Sequence, residues 1–226
     1  LRNSWFLWHV RSKMSLGYID TGGSFFYTHP QLSPTGVHQT ERSLQLISHL
    51  GCDSIMLDGK KFNYKDQGAI VFHAGGTDPR RAWPENKWIK LAEILSKNHQ
   101  IAIVKTPETT NLIQHMIDRD LMVEIFDGDL IKFKNWLRNQ KMLIGNDSMP
   151  GHLAAYLGIP AISIFGSQDP KLTCPIGKWI TIIQPNESCE HKRNHWRLCQ
   201  KCMGMIDAER VSFAVTNLLS RAQAGE

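Results

Sequence analysis

The chain is most regular between residues 69 and 165, where short apolar runs alternate with stretches of helical periodicity. Ala69–His73 is apolar and runs into Gly75-Gly76, which reads as a buried strand and a turn. Pro84–Lys97 follows with Trp88, Ala92 and Leu95 at helical spacing, and Pro84 suits a first helical turn. The same reading predicts strands at Ile101–Val104, Val123–Phe126, Met142–Ile144 and Ala161–Phe165. Helices are predicted at Thr109–Arg119, Leu130–Arg138 and Pro150–Leu157. Strands that are apolar throughout, separated by helices of ~10 residues, mean β-α-β units and a parallel sheet covered on both faces. The expected fold class is α/β, a Rossmann-like doubly wound sheet.

The flanks differ. Asp207–Arg221 reads as a closing helix, with Val211, Val215, Leu218 and Leu219 on one face. Residues 166–204 read as irregular, interrupted by Pro170, Pro175 and Pro185. Upstream, Thr40–Leu50 is a helix ended by Gly51, residues 52–68 are a connection, and residues 1–37 hold only fragments of pattern.

Composition narrows the classes. The chain has 226 residues, 42% hydrophobic and 21% charged, which excludes a disordered, collagen-like or coiled-coil chain. Apolar stretches such as Ile159–Phe165 are far shorter than a membrane-spanning helix needs. The net charge of +5 favours anionic substrates or surfaces but is too small to argue for nucleic acid. The odd count of five cysteines does not suit a disulfide framework, so reduced cytosolic thiols are expected.

Ligands of open parallel sheets bind where the strands end and helix N-termini converge. Three segments fall there. The turn from His73 to Pro84 offers Gly75, Gly76, Thr77 and two cations, Arg80 and Arg81, able to meet phosphate; it equally reads as an ordinary polar loop. Gly145–His152 opens a helix whose amides, with Ser148, could hold a diphosphate; alternatively Asp147 or Ser148 simply caps it. Lys105–Glu108 places a carboxylate where ribose hydroxyls or an adenine amine could donate, although Glu108 also suits a first helical turn.

Taken together, these segments resemble glycosyltransferase family nine, the lipopolysaccharide heptosyltransferases and their relatives. The resemblance rests on FHAGGTDPRRAWPENKW (residues 72–88), with its glycine-bearing turn, basic residue and Trp-Pro. It continues in NDSMPGHLAAYLGIP (146–160), in IFGSQDP (164–170), and in the ending around Cys202-Met203, Ile206, Glu209 and Val211. It covers residues 69–215 and, more faintly, 1–51. The resemblance implies the GT-B fold, two Rossmann-like domains facing a cleft: residues 1–65 are expected to be a partial N-terminal, acceptor-side domain and linker, and residues 66–226 the C-terminal nucleotide-sugar-binding domain. It also implies metal-independent transfer of heptose from ADP-heptose to a lipopolysaccharide core acceptor in the bacterial cytoplasm.

It implies roles as well. Arg81 neutralises the leaving diphosphate, as the catalytic cation. Asp147 and Ser148, with the backbone through Met149 and Gly151, hold the diphosphate. Glu108 contacts the nucleoside, His152 lines the phosphate or sugar pocket, and Gly75, Gly76 and Thr77 approach the nucleotide. No cofactor or bound metal is implied. The partners are a nucleotide-sugar donor and a glycolipid acceptor, not nucleic acid, with peripheral contact at the cytoplasmic face of the inner membrane.

Two departures stand out. Met149 occupies a position where the family has glycine, and a side chain there resists positive φ. The family's N-terminal glycine-rich motif and its base, an Asp, are not found, so ~100 further upstream residues and poor transfer by this chain alone are expected. Cys199-x-x-Cys202 has the spacing of a metal knuckle that Cys174 and Cys189, or His191 and His195, could complete. With one tight pair only, reduced structural thiols are the expectation. Other classes open to the sequence are a sugar-nucleotide 2-epimerase, whose cleft carboxylates and arginines are not recognisable, and a non-catalytic nucleotide- or nucleic-acid-binding module with a Cys-rich segment.

Overall fold

The structure, a computed structural model, describes residues 2–21, 23–51, 65–187 and 199–225. They form two compact units, the smaller built from residues up to 51 with Lys171–Thr173. In the smaller unit, helix α1 (Arg2–Val10) precedes strands β1 (Leu16–Tyr18) and β2 (His29–Gln31), a short parallel pair, and helix α2 (Gln39–Ser48). His38 caps α2 by accepting from the Thr40 amide, and Arg42 lies 4.7 Å over the Tyr18 ring. Gly17 leaves the space occupied by the Tyr27 ring, which a β-carbon would overlap. The upstream fragments therefore hold a helix and two strands that a three-residue pattern could not reveal.

The larger unit is a six-stranded, all-parallel sheet. Along the chain it runs β3 (Ile70–His73), α3 (Glu85–Leu95), β4 (Ile101–Val104), α4 (Thr110–Ile117), β5 (Val123–Phe126), α5 (Leu130–Leu137), β6 (Met142–Asn146), α6 (Met149–Leu157) and β7 (Ala161–Ile164). β8 (Ile180–Ile183), α8 (Gln200–Gly204) and α9 (Ala208–Ala224) complete it, and helix α7 (Pro170–Thr173), between β7 and β8 in the chain, falls with the smaller unit from Lys171 on. The spatial order β5-β4-β3-β6-β7-β8 puts the strand-order reversal between β3 and β6. A crevice at the C-terminal ends of those two strands is where such sheets bind ligands.

Successive strand residues alternate between two cores. Ile70, Phe72, Ile101, Ile103, Met142 and Ile144 face one core with residues of α3, α4 and α9, while Val71, Ala102, Val104 and Leu143 face the other with residues of α5 and α6. Because both sides are buried, the strands read as continuous apolar runs. Phe72, Trp83 and Trp88 pack as a ring cluster, with centroids 5.1 Å (Phe72–Trp88) and 5.0 Å (Trp83–Trp88) apart. The aromatic part of the 72–88 segment is thus core.

The reading of residues 166–204 as irregular is corrected: β8 and two short helices lie within it. β8 is a four-residue edge strand, mostly half-buried, so its pattern is weak. α8 forms because Cys202 and Met203 are buried.

Candidate functional site

The turn after β3, the turn after β4 and the start of α6 all lie at the C-terminal edge of the sheet, around its switch point. Ser148 occupies the N-cap position of α6, yet its hydroxyl donates to the Asn146 carbonyl at 3.2 Å and makes no capping bond. Met149 begins the helix without positive φ, so the missing glycine imposes no strain. Its side chain is exposed. Gly151 faces inward: a β-carbon would lie 2.6 Å from Ser163 Oγ and 3.0 Å from Pro175 Cγ. Its hydrogen lets α6 sit closely on β7.

The two arginines separate. Arg80 folds back on Asp78, with Nε donating to Oδ1 at 2.9 Å and Nη2 to Oδ2 at 2.8 Å. Asp78 also caps the 3-10 turn Pro79–Arg81 by accepting from the Arg80 amide, and these bonds hold its carboxyl at about 2. Arg81 instead reaches across to α6, its Nη1 3.6 Å from Asp147 Oδ2. The Asp147 side chain is 8% exposed and that of Arg81 42%, so the cation keeps an open side towards solvent. Burial pushes the Asp147 carboxyl up, opposed by Arg81 and by His152 in the first turns of α6. The Asp147 amide donates to the Ile164 carbonyl of β7 at 3.0 Å, so what Asp147 offers the site is its carboxylate.

Beyond β4, Thr106 and Thr109 form a capping box, and Thr109 is buried. Glu108 is exposed, and its carboxyl is lowered chiefly by the Thr106 hydroxyl and then by its own backbone amide. It is an ionised acceptor at neutral pH. Glu108 and Gly76 line one cleft of about 200 Å³, together with Trp83, Glu85, Trp88 and Thr109. Gly75 is buried against Thr106, whose Oγ1 would lie 2.4 Å from a β-carbon, and Thr77 is exposed. A wider groove of about 920 Å³ lies at the other end of β4 and β5, lined by His99, Asp120 and Met122. No helix N-terminus of the sheet converges there, so its size does not make it the anion site.

Sequence reasoning missed three residues. Asp78 orients Arg80, as described. His73, at the end of β3, has its imidazole pushed down by burial, so it is neutral at pH 7, and its Nδ1 is buried without a partner among the described residues. Asn146 is 2% exposed and hydrogen-bonds to two distant segments. A His ending an apolar run and an Asn before an Asp were the signals for the last two.

Cys199 and Cys202 are buried and Cys174 is half-buried; burial pushes the Cys174 thiol up. Cys52, Cys189, His191 and His195 lie outside the described residues. Among the described residues, no group of three or more His, Cys, Asp or Glu is placed to hold a metal ion.

The switch point of this doubly wound parallel sheet gathers an exposed arginine, an uncapped helix N-terminus and an ionised Glu. The family model of glycosyltransferase family 9 (heptosyltransferase) matches residues 1–202, and the chain belongs to that family. A search of curated proteins finds no match. Among solved structures, E. coli ADP-heptose LPS heptosyltransferase II is 13% identical with a TM-score of 0.74, over 98% of this chain and 74% of that one. The family 9 glycosyltransferase from Veillonella parvula DSM 2008 is 17% identical with a TM-score of 0.74, over 97% and 71%. E. coli heptosyltransferase WaaC, solved with ADP, is 19% identical with a TM-score of 0.67, over 87% of this chain. The chain spans 61% of the WaaC length. The fold is that of the GT-B heptosyltransferases.

Proposed function

We propose that the protein binds a nucleotide-diphosphate sugar at the β3–β6 switch point and takes part in transferring its sugar, with ADP-heptose as donor and a lipopolysaccharide core sugar as acceptor. The observation that carries this reading is Arg81, half-exposed at 42% and directed across the start of α6 by the buried Asp147. As the glycosidic bond to the diphosphate breaks, negative charge grows on the leaving oxygen. A fixed cation and the amides of a helix N-terminus stabilise that charge more in the transition state than in the ground state. Glu108, across the 200 Å³ cleft from Gly76, accepts from the nucleoside hydroxyls or amine. Support for the donor comes from WaaC, solved with ADP and again with ADP-2-deoxy-2-fluoro heptose.

In this reading Arg81 and the amides meet the leaving charge without a divalent metal, and adding EDTA leaves ADP affinity unchanged. The acceptor is a lipid-linked sugar at the cytoplasmic face of the inner membrane, approached peripherally. Among the described residues no helix is long and apolar enough to cross a membrane. Thermal shift with ADP, UDP and GDP tests the nucleotide: selective stabilisation by ADP is expected. No response to any nucleotide, with salt-sensitive binding to an oligonucleotide instead, would contradict the reading.

A further inference from the structure

Asn146 is the last residue of β6 and is 2% exposed. Its Oδ1 accepts from the Trp83 amide at 3.0 Å and its Nδ2 donates to the Ala74 carbonyl at 2.9 Å. One amide thus holds both ends of the loop that carries Gly75, Gly76, Thr77 and Arg81. The next residue is Asp147, which pairs with Arg81. Trp83 is also held from its ring, Nε1 donating to the Ile206 carbonyl at 2.9 Å. The side chain's orientation is set by its partners, since an N–H needs the amide oxygen and a carbonyl needs the amide nitrogen. We propose that Asn146 is a positioning residue: it fixes the Ala74–Trp83 loop against the start of α6, so that Arg81 and the glycine turn face the same diphosphate.

The proposal rests on the nucleotide-site reading and makes a prediction that mere bulk or packing does not. In Asn146→Asp the ionised carboxylate still accepts from Trp83 but faces the Ala74 carbonyl with no donor. Once protonated, its O–H replaces the lost N–H. Burial raises such a carboxyl, so the recovery falls within reach of mild acid.

The test is ADP affinity by calorimetry at about pH 8 and about pH 5.5, with far-UV circular dichroism as the folding control. Wild type at both pH values corrects for His73, Arg81, Asp147 and His152 around the position. Asn146→Ala is expected to lose about ten-fold in affinity at both pH values. Asn146→Asp should lose as much at the higher pH and return to within about three-fold of wild type at the lower. Wild-type affinity in both variants, or an Asn146→Asp loss that acid does not reverse, would overturn the proposal. Should a variant not fold, or wild type bind no ADP, hydrogen exchange of the wild-type Trp83 amide decides. Exchange as slow as that of the β3 amides supports the clamp, and exchange at loop rates overturns it. Absence of wild-type ADP binding would sink the nucleotide reading and not the clamp.

Discussion

Arg81 and Asp147 show how one exposed and one buried charge divide the work. Asp147 cannot attract a diphosphate, but its carboxylate, 3.6 Å from the guanidinium, directs Arg81 towards the helix start. Replacing Arg81 with Ala removes a charge-assisted contact of about 1.5–3 kcal/mol, so ADP affinity should fall roughly 10- to 150-fold, and the melting temperature at pH 7 should also fall because the buried Asp147 carboxylate loses its cation. Asp147→Asn should do the reverse for stability. The native carboxyl is raised above its unfolded value, so native Asp147 costs nothing below the ordinary carboxylate range, and the cost grows as pH rises through the window between the two values. The variant is therefore expected to melt higher than wild type at pH 7 and with wild type below pH ~3, while binding ADP less tightly. Denaturation followed across that pH range checks the sign; a variant less stable than wild type at pH 7 would contradict it. At this scale, Glu108, Ser148 and the pair Arg80 and Arg81 could be singled out because charge and hydroxyl follow strands, while the choice of Arg81 over Arg80 came from the family resemblance. What Asn146 does could not, because its partners are 63 and 72 residues away.

Most elements were legible where burial was complete, and β5, a partly exposed edge strand, was legible from a short run closed by Asp127-Gly128. β3, β4, β6 and β7 stand out as apolar runs closed by Gly or polar turns, because both faces of each strand are covered. β8 escaped because it is a half-buried edge strand in a proline-rich stretch, and α1, β1 and β2 because their patterns are only three to nine residues long. The start of α6 was found from its motif, but the direction of each residue was not: Met149 is exposed outward and Gly151 packs inward on β7. That inward packing is testable. Gly151→Ala should destabilise by about 1–3 kcal/mol, since its β-carbon meets Ser163 Oγ at 2.6 Å. Ser163 Oγ is buried without a partner among the described residues, so Ser163→Ala alone should be neutral or stabilising and should restore part of the loss in the double variant. Additive effects in urea denaturation would contradict a direct contact.

At the scale of the molecule, the larger unit carries its own two hydrophobic cores and every residue named in the proposed nucleotide site. A chain beginning near residue 65 should accordingly fold cooperatively and bind ADP within about three-fold of the full chain; loss of binding with the fold intact would place part of the nucleotide site in the smaller unit. The doubly wound class was readable from the alternation of apolar strands with helical periodicity. The central claim is that Arg81 and the start of α6 form a diphosphate site. Titration calorimetry of ADP and of AMP against wild type and Arg81→Ala tests it most directly. ADP should bind wild type more tightly than AMP does, and Arg81→Ala should erase most of that difference. An ADP preference that survives the substitution, or no binding of either nucleotide to wild type, would contradict the claim.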